Sequence, residues 1–195
     1  MYRNTRISDA ALATALEGLS GLQIAPADKP NAPTPVIPYE QAVHFRDVCY
    51  FAAWHTANER KSYTDDAAAD KRRADTAAAA LTESASLGPD VTDDLVTLAW
   101  TAARHATKVR SGGEATATEP DLLKHEMVKE ALAGTLGRAA AESASLVAMS
   151  AGWHASCRRF DGGESERARD SLVALVREFH KLGTVPRRKW VGVNL

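Results

Sequence analysis

Cysteine is scarce in this sequence. Its 195 residues include two cysteines, Cys49 and Cys157, which form no CxxC pair and have no third or fourth cysteine partner. Neither a zinc knuckle nor a disulfide framework is therefore indicated. We interpret both residues as packed free thiols in a reducing compartment.

An excess of charge of one sign is also lacking. The chain has 24 Lys and Arg against 25 Asp and Glu, a net charge of -1, so no overall field draws it to nucleic acid or to an acidic membrane. The N-terminus has no apolar run as long as a signal peptide requires, and nowhere do about 18 consecutive apolar residues occur. We expect a cytoplasmic protein that makes no membrane contact.

Strand-like alternation of β-branched residues is almost absent, whereas alanine dominates the middle of the chain. This composition predicts an all-α fold, a single antiparallel bundle of four to five long helices. Its helices are expected over about 39–61, 64–87, 92–110, 120–160 and 164–183. The segment 120–160 is either one helix or is broken near Gly134, Gly137 or Gly152.

The two ends differ from this body, and four regions result: 1–24, 25–38, 39–183 and 184–195. A first amphipathic helix is predicted from Ser8 to Ser20, and its apolar stripe consists of Leu12, Leu16 and Leu19. Residues 25–38 contain five prolines, which favour a semi-rigid arm over a helix. Because a helix of about 13 residues is marginal alone in water, its stripe predicts a docking surface.

The C-terminal segment is basic and aromatic. Basic residues beside a tryptophan could grip phosphate or stack on a base, but such a tail on a neutral protein is more typical of a solvated end or of a strap over a neighbouring subunit. We therefore favour protein over nucleic acid as its partner. The residues concerned are Arg187, Arg188, Lys189 and Trp190.

Two patterns of small residues raise the question of repeats and close packing. ESASL occurs at 83–87 and again at 142–146, but the flanking spacings do not match, so we do not interpret the echo as a duplication. Small side chains recur at helical spacing in two segments, which predicts that 64–83 and 120–160 pack closely on each other or on a second copy. The residues are Ala69, Ala77, Ala80 and Ser84 in one segment and Ala133, Gly137, Ala141, Ala144 and Ala148 in the other.

A polar stripe follows one side of the predicted helix 39–61. Histidine and carboxylate side chains on one face are typical metal ligands, but His44 and His55 are eleven residues apart, about 16 Å along a helix axis, and cannot share one ion. Two smaller sets remain, each needing further ligands from another helix, and a solvated face is the favoured interpretation. The stripe consists of Glu40, His44, Asp47, His55, Asn58 and Glu59.

His125 lies in a predicted helix, one turn after Asp121. The segment KHEM resembles the His-Glu pair of histidine-kinase dimerisation helices, and RHATK at 104–108 resembles the His-x-x-Lys of histidine phosphotransfer domains. No glycine-rich, phosphate-cradling loop accompanies either segment. Because Asp121 and His125 are four residues apart, we predict a surface pair on a helix.

These patterns predict a non-catalytic helical interaction or assembly module, a small subunit of a larger or homo-oligomeric complex that carries no cofactor. Its partner is another protein or a second copy of the chain. The alternative is an all-α metal-dependent enzyme with ligands on helix 39–61. That enzyme would use Glu40, His44 and Asp47, or His55 and Glu59.

Overall fold

The computed structural model of the protein describes residues 37–83, 86–113, 119–161 and 165–182. These residues form six α-helices and no strand, which confirms an all-helical, bundle-like protein. The predicted N-terminal helix, most of the proline-rich linker and the C-terminal tail lie outside them. The helices are α1 Tyr39–Arg60, α2 Thr64–Glu83, α3 Pro89–Arg110, α4 Pro120–Leu136, α5 Arg138–Phe160 and α6 Glu166–Leu182.

Helices α3 and α4 each begin on a proline. Proline suits the first turn because its missing N–H would have no partner there. The predicted start of α3 at Thr92 is therefore wrong, and the buried Thr92 hydroxyl instead donates to the carbonyl of Pro89 at 2.8 Å. Glu119 caps α4 by accepting from the amides of Asp121 and Leu122, at 3.4 and 3.0 Å.

Segment 120–160 is two helices, and the break falls at Gly137. This residue has φ of +87°, in the left-handed region that glycine adopts without strain, and its amide donates to the carbonyl of Ala133 at 3.1 Å. Gly134 and Gly152, the other two candidate positions, both lie within helices. The positive φ at Gly137 therefore decides where the chain changes direction.

Consecutive helices pair as three hairpins, α1 with α2, α3 with α4 and α5 with α6. Contacts run in opposite order along the two helices of a pair. In the third hairpin His154 bonds the carbonyl of Ala168 at 3.1 Å, while the earlier residue Ser143 bonds the later residue Glu178 at 3.2 Å. In each hairpin one helix, α1, α3 or α5, contacts helices of both other hairpins, and we call it the inner helix. Its partner is the outer helix.

The three inner helices repeat a sequence pattern. FAAWHTANER at 51–60, TAARHATKVR at 101–110 and SAGWHASCRR at 150–159 place a histidine and a terminal arginine at matching positions. The matching positions upstream are buried in all three helices, with Phe45, Leu95 and Ala144 as one set and Val48, Leu98 and Val147 as another. The repeat has a period of about 50 residues, which differs from the spacing of the ESASL echo.

Packing between the hairpins follows the same threefold pattern. Every inner helix contacts the other two, each outer helix also contacts the inner helix of the next hairpin, and α6 closes the ring onto α1. A hydroxyl layer joins the three inner helices at one depth, with Thr107 Oγ1 lying 3.1 Å from both Thr56 Oγ1 and Ser156 Oγ. At the C-terminal ends of the same helices, Arg60 bonds Ser111 at 3.2 Å and Arg110 bonds Asp161, so the three inner helices run side by side in the same direction.

Small residues allow the inner helices to approach closely. A Cβ added at Gly152 on α5 would lie 3.0 Å from both the carbonyl oxygen of Ala102 and the Cβ of Ala106 on α3. The predicted close packing of 64–83 on 120–160 within one chain is wrong, since among the described helices the backbone of α2 lies close only to α1 and α3, and α2 reaches α5 through the Asp66–Arg159 ion pair at 3.6 Å. The small residues of the later segment instead face the other inner helices, where Ala141, Ala144 and Ala148 are buried.

Candidate functional site

The residues of the polar stripe predicted on helix 39–61 differ in their exposure and do not form one solvated face. Glu40 and Glu59 are exposed, whereas His44 and Asp47 are half-buried at the α1–α2 boundary. His55 Nδ1 lies 2.9 Å from the carbonyl of Ala67, and its Nε2 lies 3.8 Å from Glu59. Within the described ranges, no three His, Cys, Asp or Glu side chains are grouped closely enough to hold a metal ion.

Asn58, which the helical projection placed on a solvated face, is fully buried. Its amide donates to Asp70 on α2 at 2.9 Å, and its carbonyl oxygen accepts from Arg159 on α5. Burial raises the pKa of Asp70, although hydrogen bonds from Arg73 and Asn58 oppose the rise. These contacts join three helices, so the outward direction inferred for Asn58 is wrong because α2 and α5 cover it.

Each repeated histidine of the inner helices packs against a tryptophan of another inner helix, and the three His–Trp contacts together form a ring around the bundle core. His55 packs edge-on against Trp100, His105 against Trp153 and His154 against Trp54, with ring centroids 5.5, 6.3 and 6.2 Å apart. Each histidine also reaches the first turns of its own outer helix through Nδ1, at Ala67, Glu119 or Ala168. The signal that could have revealed this ring is the repeated Ala-x-x-His pattern at 52–55, 102–105 and 151–154.

His105 and Glu119 form a buried histidine–carboxylate hydrogen bond, with 2.8 Å between Nδ1 and Oε2. Burial alone would raise the pKa of Glu119, but the bonds from His105 and from the α4 amides, with the charge of Lys108, hold that pKa below its usual value. Glu119 therefore both caps α4 and pairs with His105 on α3, the inner helix of the same hairpin.

His125 lies in the interior, so the predicted surface pair with Asp121 is wrong. Its ring is fully buried, with Nε2 2.7 Å from Ser145 Oγ on α5 and Nδ1 3.3 Å from the carbonyl of Leu98 on α3. Asp121 instead accepts from Arg104 at 2.6 Å. Burial lowers the pKa of His125, and its hydrogen bonds suit a neutral ring that donates from Nδ1.

A cleft of about 450 Å³ lies between α1 and α2. Helix α1 contributes His44, Asp47 and Phe51 to its wall. Helix α2 contributes a floor of Ala69, Ala77 and Ala80 and a polar edge of Arg72, Arg73 and Thr76. The cleft therefore combines an apolar floor with a cationic edge.

The outward face of α4 carries two of the four large apolar side chains that are exposed in the described part of the chain. Leu123 and Met127, one turn apart, are 48% and 73% exposed, and Leu146 of the neighbouring α5 is 49% exposed. Ala131 and Gly134 continue the exposed side of α4. We call the set Leu123, Met127, Ala131 and Gly134 the α4 face.

The other two outer helices expose charged side chains and, within their described residues, no large apolar one. The exposed residues of α2 include Lys71, Arg72 and Asp75, and those of α6 include Arg169 and Asp170. Since the three outer helices occupy related positions in the bundle, the apolar character of the α4 face is specific to one hairpin.

The predicted partner-binding residues of the two ends lie outside the described part of the chain. They are Leu12, Leu16 and Leu19 in the N-terminal segment and Arg187, Arg188, Lys189 and Trp190 in the tail. Among the described helices, none is long and apolar enough to cross a membrane.

Comparisons with protein-family models, with curated proteins and with solved structures found no match to this chain.

Proposed function

We propose that the protein is a non-catalytic assembly module that associates with copies of itself. The observation that carries the proposal is the α4 face, whose large side chains Leu123 and Met127 are presented to solvent while the other two outer helices expose charged side chains and, within their described residues, no large apolar one. Exposed apolar patches of this kind mark interaction sites in folded proteins.

The occupant that we propose for the α4 face is the N-terminal segment of another copy. Its predicted stripe of Leu12, Leu16 and Leu19 has the four- and three-residue spacing of a helix that lies on another helix, and the α4 face offers Leu123 and Met127 at the same four-residue spacing. An amphipathic helix of this length gains its stability from such packing.

The linker is long enough to reach a neighbouring molecule. Residues 21–36, between the end of the predicted first helix and the described part of the chain, number 16, and at about 3.1 Å per residue in a polyproline conformation they would span roughly 50 Å. The proposal includes the predicted arrangement of the chain, in which an N-terminal helix is joined through a proline-rich arm to a single antiparallel bundle. The basic C-terminal residues Arg187 to Trp190 would strap the neighbouring subunit from its other side.

The test is the association state of the full chain, measured by sedimentation velocity over a range of concentrations. Met127→Glu on the α4 face and Leu16→Glu in the N-terminal segment should each weaken association. Removing one large buried apolar contact costs about 1.5–3 kcal/mol, which corresponds to a dissociation constant roughly 10- to 100-fold higher.

The matched control is Ala79→Glu, which places the same charge at an exposed position of the related helix α2. It should sediment like the unmodified chain. A chain that is monomeric at every concentration, or an Ala79→Glu variant as impaired as Met127→Glu, would rule out the proposed interface.

A further inference from the structure

We propose that the α1–α2 cleft is a binding site for a small organic anion, a carboxylate or a phosphate monoester attached to a compact apolar body. Nothing in the assembly role requires this cleft, because it lies in a different hairpin from the α4 face. Its volume of about 450 Å³ falls within the range of ligand sites, roughly 300–1,000 Å³.

The threefold repeat shows why the cleft is open in this hairpin. At the position of Phe51, α3 carries Thr101, whose hydroxyl lies 3.3 Å from the buried ring of His125 on α4. At the position of His44, α5 carries Ser143, whose hydroxyl donates to the buried Glu178 of α6 at 3.2 Å.

In both of those hairpins the outer helix inserts a buried polar side chain against the inner helix. Helix α2 inserts Asp70 against Asn58 of α1, but along the cleft it faces α1 with Ala69, Ala77 and Ala80, three residues that have no side chain beyond Cβ. The space that the repeat fills elsewhere with an imidazole or a carboxylate is therefore accessible in the first hairpin. A ligand that carries its own polar group fits this space.

The charges of the lining favour an anion. Arg72 is exposed at the edge of the cleft, and within the described ranges it forms no ion pair and its guanidinium makes no hydrogen bond. Arg73 is held at 3.0 Å from Asp70 and stacked over Phe51, with 5.6 Å from its guanidinium carbon to the ring centroid, so Arg72 is the cation of the lining that is available to a ligand.

The one carboxylate of the lining is already neutralised on its own helix. Asp47 accepts two hydrogen bonds from Arg46, at 2.9 and 2.6 Å. An incoming anion therefore meets Arg72 and the ring nitrogens of His44 at the edge, and its apolar body meets Phe51 and the alanine floor. A planar guanidinium suits carboxylate and phosphate oxygens alike.

The experiment is isothermal titration calorimetry of the full chain with phenyl phosphate and with phenylacetate, and with benzyl alcohol as the uncharged analogue. We expect one anion to bind at one site per chain, and the tighter of the two identifies the head group. Arg72→Gln should weaken that binding at least tenfold, about 1.4 kcal/mol, and Ala80→Leu should abolish it by filling the floor.

The control is Arg169→Gln, which removes the same charge from an exposed position of α6 and should bind like the unmodified chain. Arg72→Gln alters an exposed side chain, so its result does not depend on whether Ala80→Leu folds, which circular dichroism will show. Titration up to about 10 mM detects affinities weaker than −4 kcal/mol. Absence of binding of either anion over that range would overturn the proposal. Equal binding of benzyl alcohol, or unchanged affinity in Arg72→Gln, would also overturn it.

Discussion

His125 is a polar side chain surrounded by three helices. A lone histidine in a helical segment, one turn from an aspartate, is consistent with a surface pair or with burial, and only the neighbouring helices distinguish the two. Ser145 and the carbonyl of Leu98 satisfy the two ring nitrogens, so the ring is buried without losing hydrogen bonds. Asn58 is a second case, because Asp70 and Arg159 satisfy its amide.

At the same scale, we predict that the free energy of unfolding falls as the pH is lowered from 7 to 5. Burial lowers the pKa values of His125 and His154 from the ordinary 6.5, so the unfolded chain binds protons first as the pH falls. The stabilisation is therefore complete above pH 6.5 and is lost progressively below it, by at most about 1.4 kcal/mol per pH unit for each histidine.

The measurement is urea unfolding followed by circular dichroism at about pH 7 and about pH 5. The double variant His125→Gln and His154→Gln should be less stable at neutral pH but should show a shallower pH dependence. If the double variant and the unmodified chain lose the same stability over this interval, other groups are responsible for the slope.

At the scale of the elements, glycines decide where helices end. Gly137 and Gly134 are three residues apart, and a Cβ added at either would meet nothing within 4 Å. They differ in backbone conformation, since Gly137 has φ of +87° while Gly134 lies within α4. The same substitution should therefore have opposite effects at the two sites.

We predict that Gly137→Ala destabilises the protein by about 1–2 kcal/mol, because an L side chain is strained at positive φ. Gly134→Ala should stabilise it by about 0.5–1 kcal/mol, because alanine loses less entropy in a helix. Chemical unfolding of the two variants gives both values. A stabilising Gly137→Ala would show that α4 and α5 can form one continuous helix in solution.

The existence of the described helices could be predicted from sequence, and their boundaries only in part. Thr64 does begin a helix with Asp65 and Asp66 in its first turn, because local capping and dipole effects act through neighbours in the chain. A helix start was predicted at Thr92 in the same way, but Thr92 is buried and α3 begins at Pro89.

Of the residues that line the cleft, His44 and Asp47 were identified from the sequence as candidate residues. Arg72 and the alanine floor were not assigned to it, because they are contributed by another helix.

At the scale of the whole molecule, the threefold arrangement places buried hydroxyls where the inner helices meet. Thr107 lies between Thr56 and Ser156, and all three are buried. A buried hydroxyl without a hydrogen-bond partner is costly, and here the Thr107 hydroxyl finds its partners on the two other inner helices. The layer therefore links the three hairpins through a hydrogen-bond network that depends on their register.

Replacing the central hydroxyl tests this network. Thr107→Val keeps the shape of the side chain but removes the hydroxyl partner of the fully buried Ser156, while Thr56 keeps the carbonyl of Ala53 at 3.0 Å. We expect a loss of about 1–2 kcal/mol. The control Thr82→Val, at an exposed position of α2, should change stability by no more than about 0.5 kcal/mol.

Adding Ser156→Ala to Thr107→Val should cost less than the sum of the two single changes, because both ends of one hydrogen bond are then removed. Thermal or urea unfolding of the four chains gives this coupling. Strict additivity would mean that the hydroxyls do not act together.

The sequence by itself determined the secondary structure class and the approximate helices, because propensity, caps and glycines act over a few residues. It also carried the 50-residue repeat, which became evident once the burial of matching positions was known. Tertiary structure decided which polar residues are interior, which small residues touch, and where the cleft and the α4 face lie. These features depend on side chains from helices far apart in the chain, so that the pattern of one helix cannot specify whether a neighbour covers its polar side or leaves its apolar side exposed.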